Sequence, residues 1–175
     1  LRKIFQKKKN VIIRLTSVTG VSPERKKVHT EIGDIEFDYL ILAQGATTNY
    51  YNNDSLHNNA YSMKSVSEAL LLRNNLLQNY ELALNPMNRE ERNSLLNVVI
   101  VGGGPTGVEL AGAIAEMKSK ILPKDYAELN FGHMHIYLLE AGSNLLNGMS
   151  NKSGETVLAY LKRLGVEVQT NTAVK

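Results

Sequence analysis

An α/β fold built on a parallel βαβαβ core, with a small β-rich lobe before it, is what this sequence predicts. Three observations carry the prediction. From Leu96 onward, short apolar runs alternate with stretches of helical period, the order that a parallel sheet with crossover helices requires. Glycines cluster where the first of those runs gives way to a helix, in "VVIVGGGPTGVEL" (Val98–Leu110). Before residue 46 the chain reads as β structure, with Val11, Ile13 and Leu15 at every second position, the period of half-buried strands.

Bulk properties narrow the class further. The 175 residues are 43% hydrophobic and 21% charged, a globular and not a disordered composition. The net charge of +3 comes largely from Arg2, Lys3, Lys7, Lys8 and Lys9. No aromatic interleaving or basic helical stripe accompanies that run, so it reads as a solvated strand flank and not as a nucleic-acid surface. There is no cysteine, which excludes a disulfide framework and a thiolate metal site. Apolar runs fall short of a membrane span and no secretory signal stands at the front, so the expected location is cytoplasmic. The chain opens at Leu1 and stops at "NTAVK"; both ends read as cuts through a longer polypeptide.

In chain order, "KNVIIRLTSV" (Lys9–Val18) alternates Val11, Ile13 and Leu15 and predicts a half-buried strand. "GVSPE" is turn chemistry, and "KKVHT" and "DIEFD" form a hairpin about Ile32–Gly33. "YLILAQG" (Tyr39–Gly45) is a continuous apolar run closed by glycine, which suits a strand buried on both faces. Residues 46–60 read as a linker, placing a domain boundary at 60/61. Ser65 and Glu68 make a capping-box pattern, and Ala69, Leu72, Leu76, Tyr80 and Ala83 follow at helical spacing. "NPMNREERNS" reads as a break. The core then runs Leu96–Val101 (strand), Pro105–Ser119 (helix), His135–Leu139 (strand), Gly154–Leu164 (helix) and Val166–Thr170 (strand), with Gly165 closing the last helix. Three layers, with helices on both faces of the sheet, are expected of such a core.

Gly102, Gly104 and Gly107 satisfy G-x-G-x-x-G directly after a strand and at the opening of a helix. That context makes the core Rossmann-like. Gly102 serves the tight turn, Gly104 lets a pyrophosphate meet bare backbone, and Gly107 lets helix and strand pack closely. Gly103 and Thr106 complete the loop, and Pro105 stands in the first helical turn, where its missing N–H is harmless. The helix N-terminus then offers unpaired N–H groups and partial positive charge to phosphates. Glu140 ends the second strand in "HIYLLEAG", where a carboxylate accepts from the adenosine ribose hydroxyls. It falls well past the usual ~20 residues from the first glycine, the surplus being "KSKILPKDYAELNFGH". No arginine follows Glu140 in "AGSN", which favours NAD(H) over NADP(H). Glu109, just past the third glycine, is a candidate catalytic residue; the helix dipole would also account for a carboxylate there. His133 and His135 share a face if extended, but lack an evident third metal ligand, so no metal is expected. Tyr126 and Phe131 read as hydrophobic anchors of the inserted segment, and no Ser-His-Asp arrangement is visible.

"VVIVGGGPTGVELAGAIAEM", "ILPKDYAELNF", "HIYLLEAGSNLL", "LKRLGVEVQTNTAV" and the upstream "FDYLILAQGATTNYY" together resemble the type II NADH dehydrogenases. These are flavoenzymes of the pyridine nucleotide-disulfide oxidoreductase superfamily. The resemblance covers essentially the whole chain. It implies residues 1–60 as a partial FAD-domain segment with linker, and 61–175 as an NAD(H)-binding domain truncated at its C-terminus. It implies NADH at Gly102, Gly104, Gly107 and Glu140, close approach of FAD at Gly45, and Glu109 near the nicotinamide–flavin junction. The implied activity passes hydride from NADH to FAD and electrons on to a quinone, without proton pumping, in a parent peripheral on the cytoplasmic face of the inner membrane. The FAD domain's own glycine-rich opening is missing, and Gln44 stands where the superfamily commonly has threonine. The fragment alone is therefore expected to be inactive and not to hold FAD, and unpaired strand edges at its cut end predict a homodimer. Two alternatives stand beside this reading: another flavin-dependent disulfide-reductase relative, or a non-catalytic NADH-sensing module. Thioredoxin-reductase-like enzymes are disfavoured, because the region upstream of the glycine loop has no cysteine pair.

Overall fold

The structure is a computed structural model that describes residues 2–85 and 87–174. The chain divides into two compact units, Leu1–Ala46 and Thr47–Lys175. That division comes earlier in the chain than the expected 60/61, because the segment after Ala46 goes with the second unit.

In the first unit a short helix α1 (Arg2–Phe5) precedes the strands β1 (Val18–Ser22), β2 (Lys27–Thr30) and β3 (Ile35–Glu36). They form an antiparallel sheet in sequential order, with Val21 opposite Val28 and Ser22 opposite Lys27. A 3-10 turn at Pro23–Arg25 joins β1 to β2, and Lys26 closes it at φ 50°. The second turn uses Gly33 at φ 110°, a left-handed conformation open to glycine without a Cβ penalty. The KKVHT/DIEFD hairpin is therefore present. The strand expected over Lys9–Val18 is not: the sheet begins at Val18, and Leu15 is almost wholly exposed. Likewise Tyr39–Gly45 is irregular and exposed, with Tyr39, Ile41 and Leu42 in solvent. Both runs have strand-like composition, but an apolar run becomes a strand only where a neighbour supplies hydrogen bonds and cover. Among the described residues neither finds one.

The second unit holds α2 (Asp54–Asn59), α3 (Val66–Ala83), α4 (Arg89–Leu96), β4 (Val98–Val101), α5 (Pro105–Lys120), α6 (Leu122–Asp125), β5 (Ile136–Leu139), α7 (Asn151–Arg163) and β6 (Glu167–Gln169). Ser65 and Glu68 form the expected capping box on α3. The helix α4 is a correction, since that stretch read as a break. Asn88 accepts from Glu91 N–H while Glu91 reaches back to Asn88 N–H, a capping box with asparagine in the Ser/Thr place.

The strands β4, β5 and β6 pair in parallel and in sequential order, with Ile100 opposite Leu138 and Leu138 opposite Val168. Two crossovers that step the same way across a sheet put both helices on one face. Accordingly α5 packs on β4 and β5, α7 packs on β6, and the two helices touch. Ile100, Ile136 and Leu138 are buried beneath them against Ala111, Ile114, Ala115 and Leu161. On the opposite face Val99 and Val101 remain 57% and 51% exposed. The expected third layer is thus absent among the described residues. The segment between α5 and β5 carries its own share of the core. Leu122, Leu129, Phe131 and Met134 are buried with Tyr80 and Ala83 of α3. Tyr80 meets Tyr126 and Phe131 edge-on, with ring centroids 5.7 and 6.1 Å apart, so Tyr126 and Phe131 are the anchors expected of them.

Candidate functional site

The glycine loop closes the C-terminal end of β4. Gly102 N–H donates to Leu139 O at 2.8 Å and turns the chain at φ 107°. Gly104 is the N-cap of α5, with Pro105 behind it. The first bond of that helix runs from Val108 N–H to Gly104 O at 3.0 Å, leaving the N–H groups of Thr106 and Gly107 in the unpaired first turn.

The four glycines of the loop are distinguished by what a side chain would meet. A Cβ on Gly107 would stand 2.0 Å from Gly102 O, so the helix sits on the loop backbone at a separation only glycine permits. A Cβ on Gly103 would stand 2.5 Å from Leu145 Cδ2, and Gly103 is buried. A Cβ on Gly104 would meet nothing within 4 Å. Nothing in the protein requires glycine at 104; the open space before it does, if a bulky group must come against the backbone. At Gly102 a Cβ would also find room, and there the positive φ is the reason for glycine.

Glu140 is half-buried directly after β5. Its Oε2 accepts from Gly103 N–H and its Oε1 from Gly142 N–H, each at 2.6 Å. The carboxylate therefore ties the glycine loop to the loop after β5, a task its position alone did not reveal. Each carboxylate oxygen has a second lone-pair site, so acceptance from ribose hydroxyls remains compatible with this geometry. Further bonds fix the same end of the sheet: Leu146 N–H to Gly103 O and Asn171 N–H to Gly142 O, both 2.8 Å. Leu146 holds φ 55° and Gly148 φ 96°, and Gly154 of α7 leaves no room for a Cβ against Leu145 O at 2.8 Å. The loop Ala141–Ser150 was missed as a site element; its signal was the pair Gly142 and Gly148 beside Glu140. Thr106 and Glu109 are exposed on α5. The structure thus brings Gly102, Gly103, Gly104, Pro105, Thr106, Gly107 and Glu140 together, with Glu109 one helical turn along. Gly45 belongs to the other unit; it has φ 76° and open space where a Cβ would stand.

His133 and His135 have separate partners. His133 Nδ1 lies 3.4 Å from Arg89 Nη2, whereas His135 Nδ1 lies 2.6 Å from Glu167 Oε1. A Ser-His-Asp chain does occur in the hairpin, contrary to the sequence reading: Ser22 Oγ meets His29 Nε2 and His29 Nδ1 meets Asp34 Oδ1, each at 2.8 Å. The period of two puts Lys27 and His29 on one face, which was the available signal. His29 and Asp34 are 38% and 46% exposed, without the buried acid that orients a catalytic imidazole. The chain of bonds fastens strand to turn, and the His29 contact holds the Asp34 carboxyl below its ordinary value.

A model of the pyridine nucleotide-disulphide oxidoreductase family matches residues 2–175. The chain is 35% identical to the type II NADH:quinone oxidoreductase Ndh of Mycobacterium tuberculosis, over 99% of its own length and 38% of the relative's. It is 34% identical to the external NADH-ubiquinone oxidoreductase 2 of Saccharomyces cerevisiae, over 89% of this chain and 30% of that one. Among solved structures it resembles NDH2 of Plasmodium falciparum in complex with NADH. The TM-score is 0.77 at 31% identity, covering 91% of this chain and 33% of that one. The chain therefore spans well under half the length of these relatives. From the match along residues 2–175, and from a glycine loop whose helix rests on bare backbone at Gly107, the chain belongs to the pyridine nucleotide-disulphide oxidoreductase family.

Proposed function

We propose that this chain is the NAD(H)-binding portion of an FAD-dependent NADH dehydrogenase that sends electrons to a quinone. The observation that carries the reading is the open space before Gly104, set beside the absence of any room at Gly107. One glycine serves the fold and the other serves a ligand. When bound, NADH supplies a hydride that FAD accepts.

The residues have distinct tasks. Gly104 and the N–H groups of Thr106 and Gly107 receive the pyrophosphate, with the α5 dipole favouring its charge. Gly103 shapes the loop floor, and Glu140 holds that floor while accepting from the ribose. A 2′-phosphate beside the Glu140 carboxylate would be repelled, which favours NADH over NADPH. Glu109 lies on the exposed face of α5 and is assigned to the nicotinamide end, where a carboxylate influences proton movement. Gly45, with its bare left-handed backbone, is assigned to the approach of FAD. The division of the protein into an FAD-domain segment and an NAD(H) domain follows from these assignments.

The Mycobacterium and Saccharomyces relatives are NADH:quinone and NADH-ubiquinone oxidoreductases, which supplies the acceptor class, a quinone. Quinones of this kind are lipid-soluble, which supports work at a membrane; the cytoplasmic face of the inner membrane, with peripheral attachment, is assigned to the parent on the family resemblance alone. No helix among the described residues is long and apolar enough to cross a membrane. The exposed valines on β4 and its place at the edge of the sheet among the described residues support a homodimer of the chain, and a monodisperse monomer by light scattering at high concentration would overturn that assignment. The function itself is tested by calorimetric titration with NADH and NADPH of the chain and of Gly104→Ala. A preference for NADH, with NADH affinity weakened about tenfold or more in the variant and stability changed by less than about 1 kcal/mol, is the expected result. Equal or tighter NADPH binding would refute the role of Glu140, and unaltered NADH binding by the variant would refute the pyrophosphate seat.

A further inference from the structure

A second set of anion-seeking donors converges at the other end of β4 from the glycine loop. A cavity of about 350 Å³ lies between α4 and the 3-10 turn Phe131–His133. Its lining includes Arg89, Arg92, Leu96, Glu128, Asn130 and His133.

Four of the polar side chains here, Arg89, Arg92, Asn130 and His133, have their acceptor occupied or none to offer, and donors left over; Asn93 and the Glu128 carboxylate share the lining. Arg92 Nε donates to Ala83 O at 3.0 Å, which fixes the plane of its guanidinium and leaves the outer N–H groups free. Arg89 Nη2 meets His133 Nδ1 at 3.4 Å; with Nδ1 accepting, the proton of a neutral ring stands on Nε2, a second outward donor. Asn130 Oδ1 accepts from Gly132 N–H at 2.9 Å, leaving its amide NH₂. The side chain of Leu96 is buried and gives the cavity an apolar wall.

Arg89 and Arg92 stand three apart on α4, so like charges share one helix face, an arrangement that costs stability. The positions that would relieve it, four residues on, are Asn93 and Leu96. Among the described residues neither arginine is ion-paired, although Glu128 shares the lining. Planar forks left unpaired beside amide and imidazole donors match the oxygens of a phosphoryl group.

We propose that this groove binds a phosphoryl group, carried by a small phosphate monoester or by a phospholipid headgroup. Arg89 and Arg92 grip the oxygens, Asn130 and His133 each add one hydrogen bond, and Leu96 backs the attached carbon skeleton. The test adds inorganic phosphate and then glycerol 3-phosphate at constant ionic strength, reading the His133 ring and Arg89 Nε signals by nuclear magnetic resonance. Saturable shifts at both are expected, with the affinity read at the His133 ring weakened about tenfold in Arg89→Gln for loss of one charged hydrogen-bonding partner. Arg89 reaches across only to the His133 ring, at 3.4 Å and exposed, and Arg92→Lys, which keeps charge but loses the fork, is the second variant. Cosedimentation with phosphatidate-containing vesicles but not with pure phosphatidylcholine, lost in Arg89→Gln, would assign the headgroup. Response to soluble phosphate alone would assign the free monoester. Shifts confined to the glycine-loop amides, or equal shifts with chloride, would overturn the proposal.

Discussion

At the scale of single residues, Gly104 and Gly107 look identical in a motif and differ in physics. Alanine at 107 would put its Cβ 2.0 Å from a backbone oxygen that cannot swing away. Gly107→Ala is therefore expected to destabilise the protein by about 2–3 kcal/mol, the scale of an overpacked core. Alanine at 104 finds open space, so urea unfolding should change by less than about 1 kcal/mol, the cost of a poorer N-cap. Equal effects of the two substitutions on stability would sink the distinction. Tyr80 offers a second case. Its side chain is wholly buried, and among the described residues its hydroxyl finds no partner. Burial, with Tyr126 beside it, pushes the phenol up to about 12. A buried hydroxyl without a bond is a net cost, so Tyr80→Phe is expected to stabilise by about 1 kcal/mol in urea unfolding. A loss of stability would show that the hydroxyl is satisfied after all.

At the scale of elements, helix starts were legible at a Ser-Glu capping box and at the Pro105 after the glycine loop. By contrast, α7 begins at Asn151 behind its Ser150 cap, three residues before the Gly154 that the sequence suggested. Ser65 and Glu68 announced α3; Asn88 and Glu91 do the same for α4, but the surrounding run of asparagine, arginine and glutamate hid it. The α3 cap also carries a pH dependence. Glu68 accepts from Ser62, Lys64 N–H and Ser65, and these bonds hold its carboxyl at about 2 against an ordinary 4.5. A depressed carboxylate contributes fully above its unfolded value and loses that contribution as pH falls through the folded one. The first turn of α3 should therefore loosen between about pH 4.5 and 2, seen as faster amide exchange at Lys64 and Ser65 relative to the middle of the helix. Glu68→Gln should show no such pH-dependent loosening. Unchanged relative protection across that range in the parent protein would refute the cap's contribution. Strands followed the opposite logic. The alternation of Val11, Ile13 and Leu15 and the run Tyr39–Leu42 carry the composition of strands, yet pairing decides whether a strand forms. The parallel core was legible because its strands lie within crossover distance of one another in the sequence.

At the scale of the whole molecule, burial is divided unevenly between the two units. The buried core runs from Tyr80 to Val166 and lies entirely in the second unit, while the described residues of the first contribute none to it. The candidate site could be read from the sequence for the same reason: Gly102 to Gly107 and Glu140 belong to the unit whose fold is set by local crossovers. What could not be read is the engagement of Glu140 by Gly103 and Gly142, because it depends on how two loops meet after the sheet has formed. A three-stranded sheet without a buried face has little to offset the entropy of ordering its backbone. Hydrogen exchange should therefore separate the units. Amides of β4, β5 and β6 are expected to exchange only through global unfolding, whereas those of β1–β3 should open locally at about 1–2 kcal/mol or less. The Ser22–His29–Asp34 bonds bridge strand and turn and should leave Val28 and His29 the slowest of that sheet. Protection of β1–β3 equal to that of β5 would mean that the hairpin unit draws stability from burial beyond its own residues, and would refute its local opening.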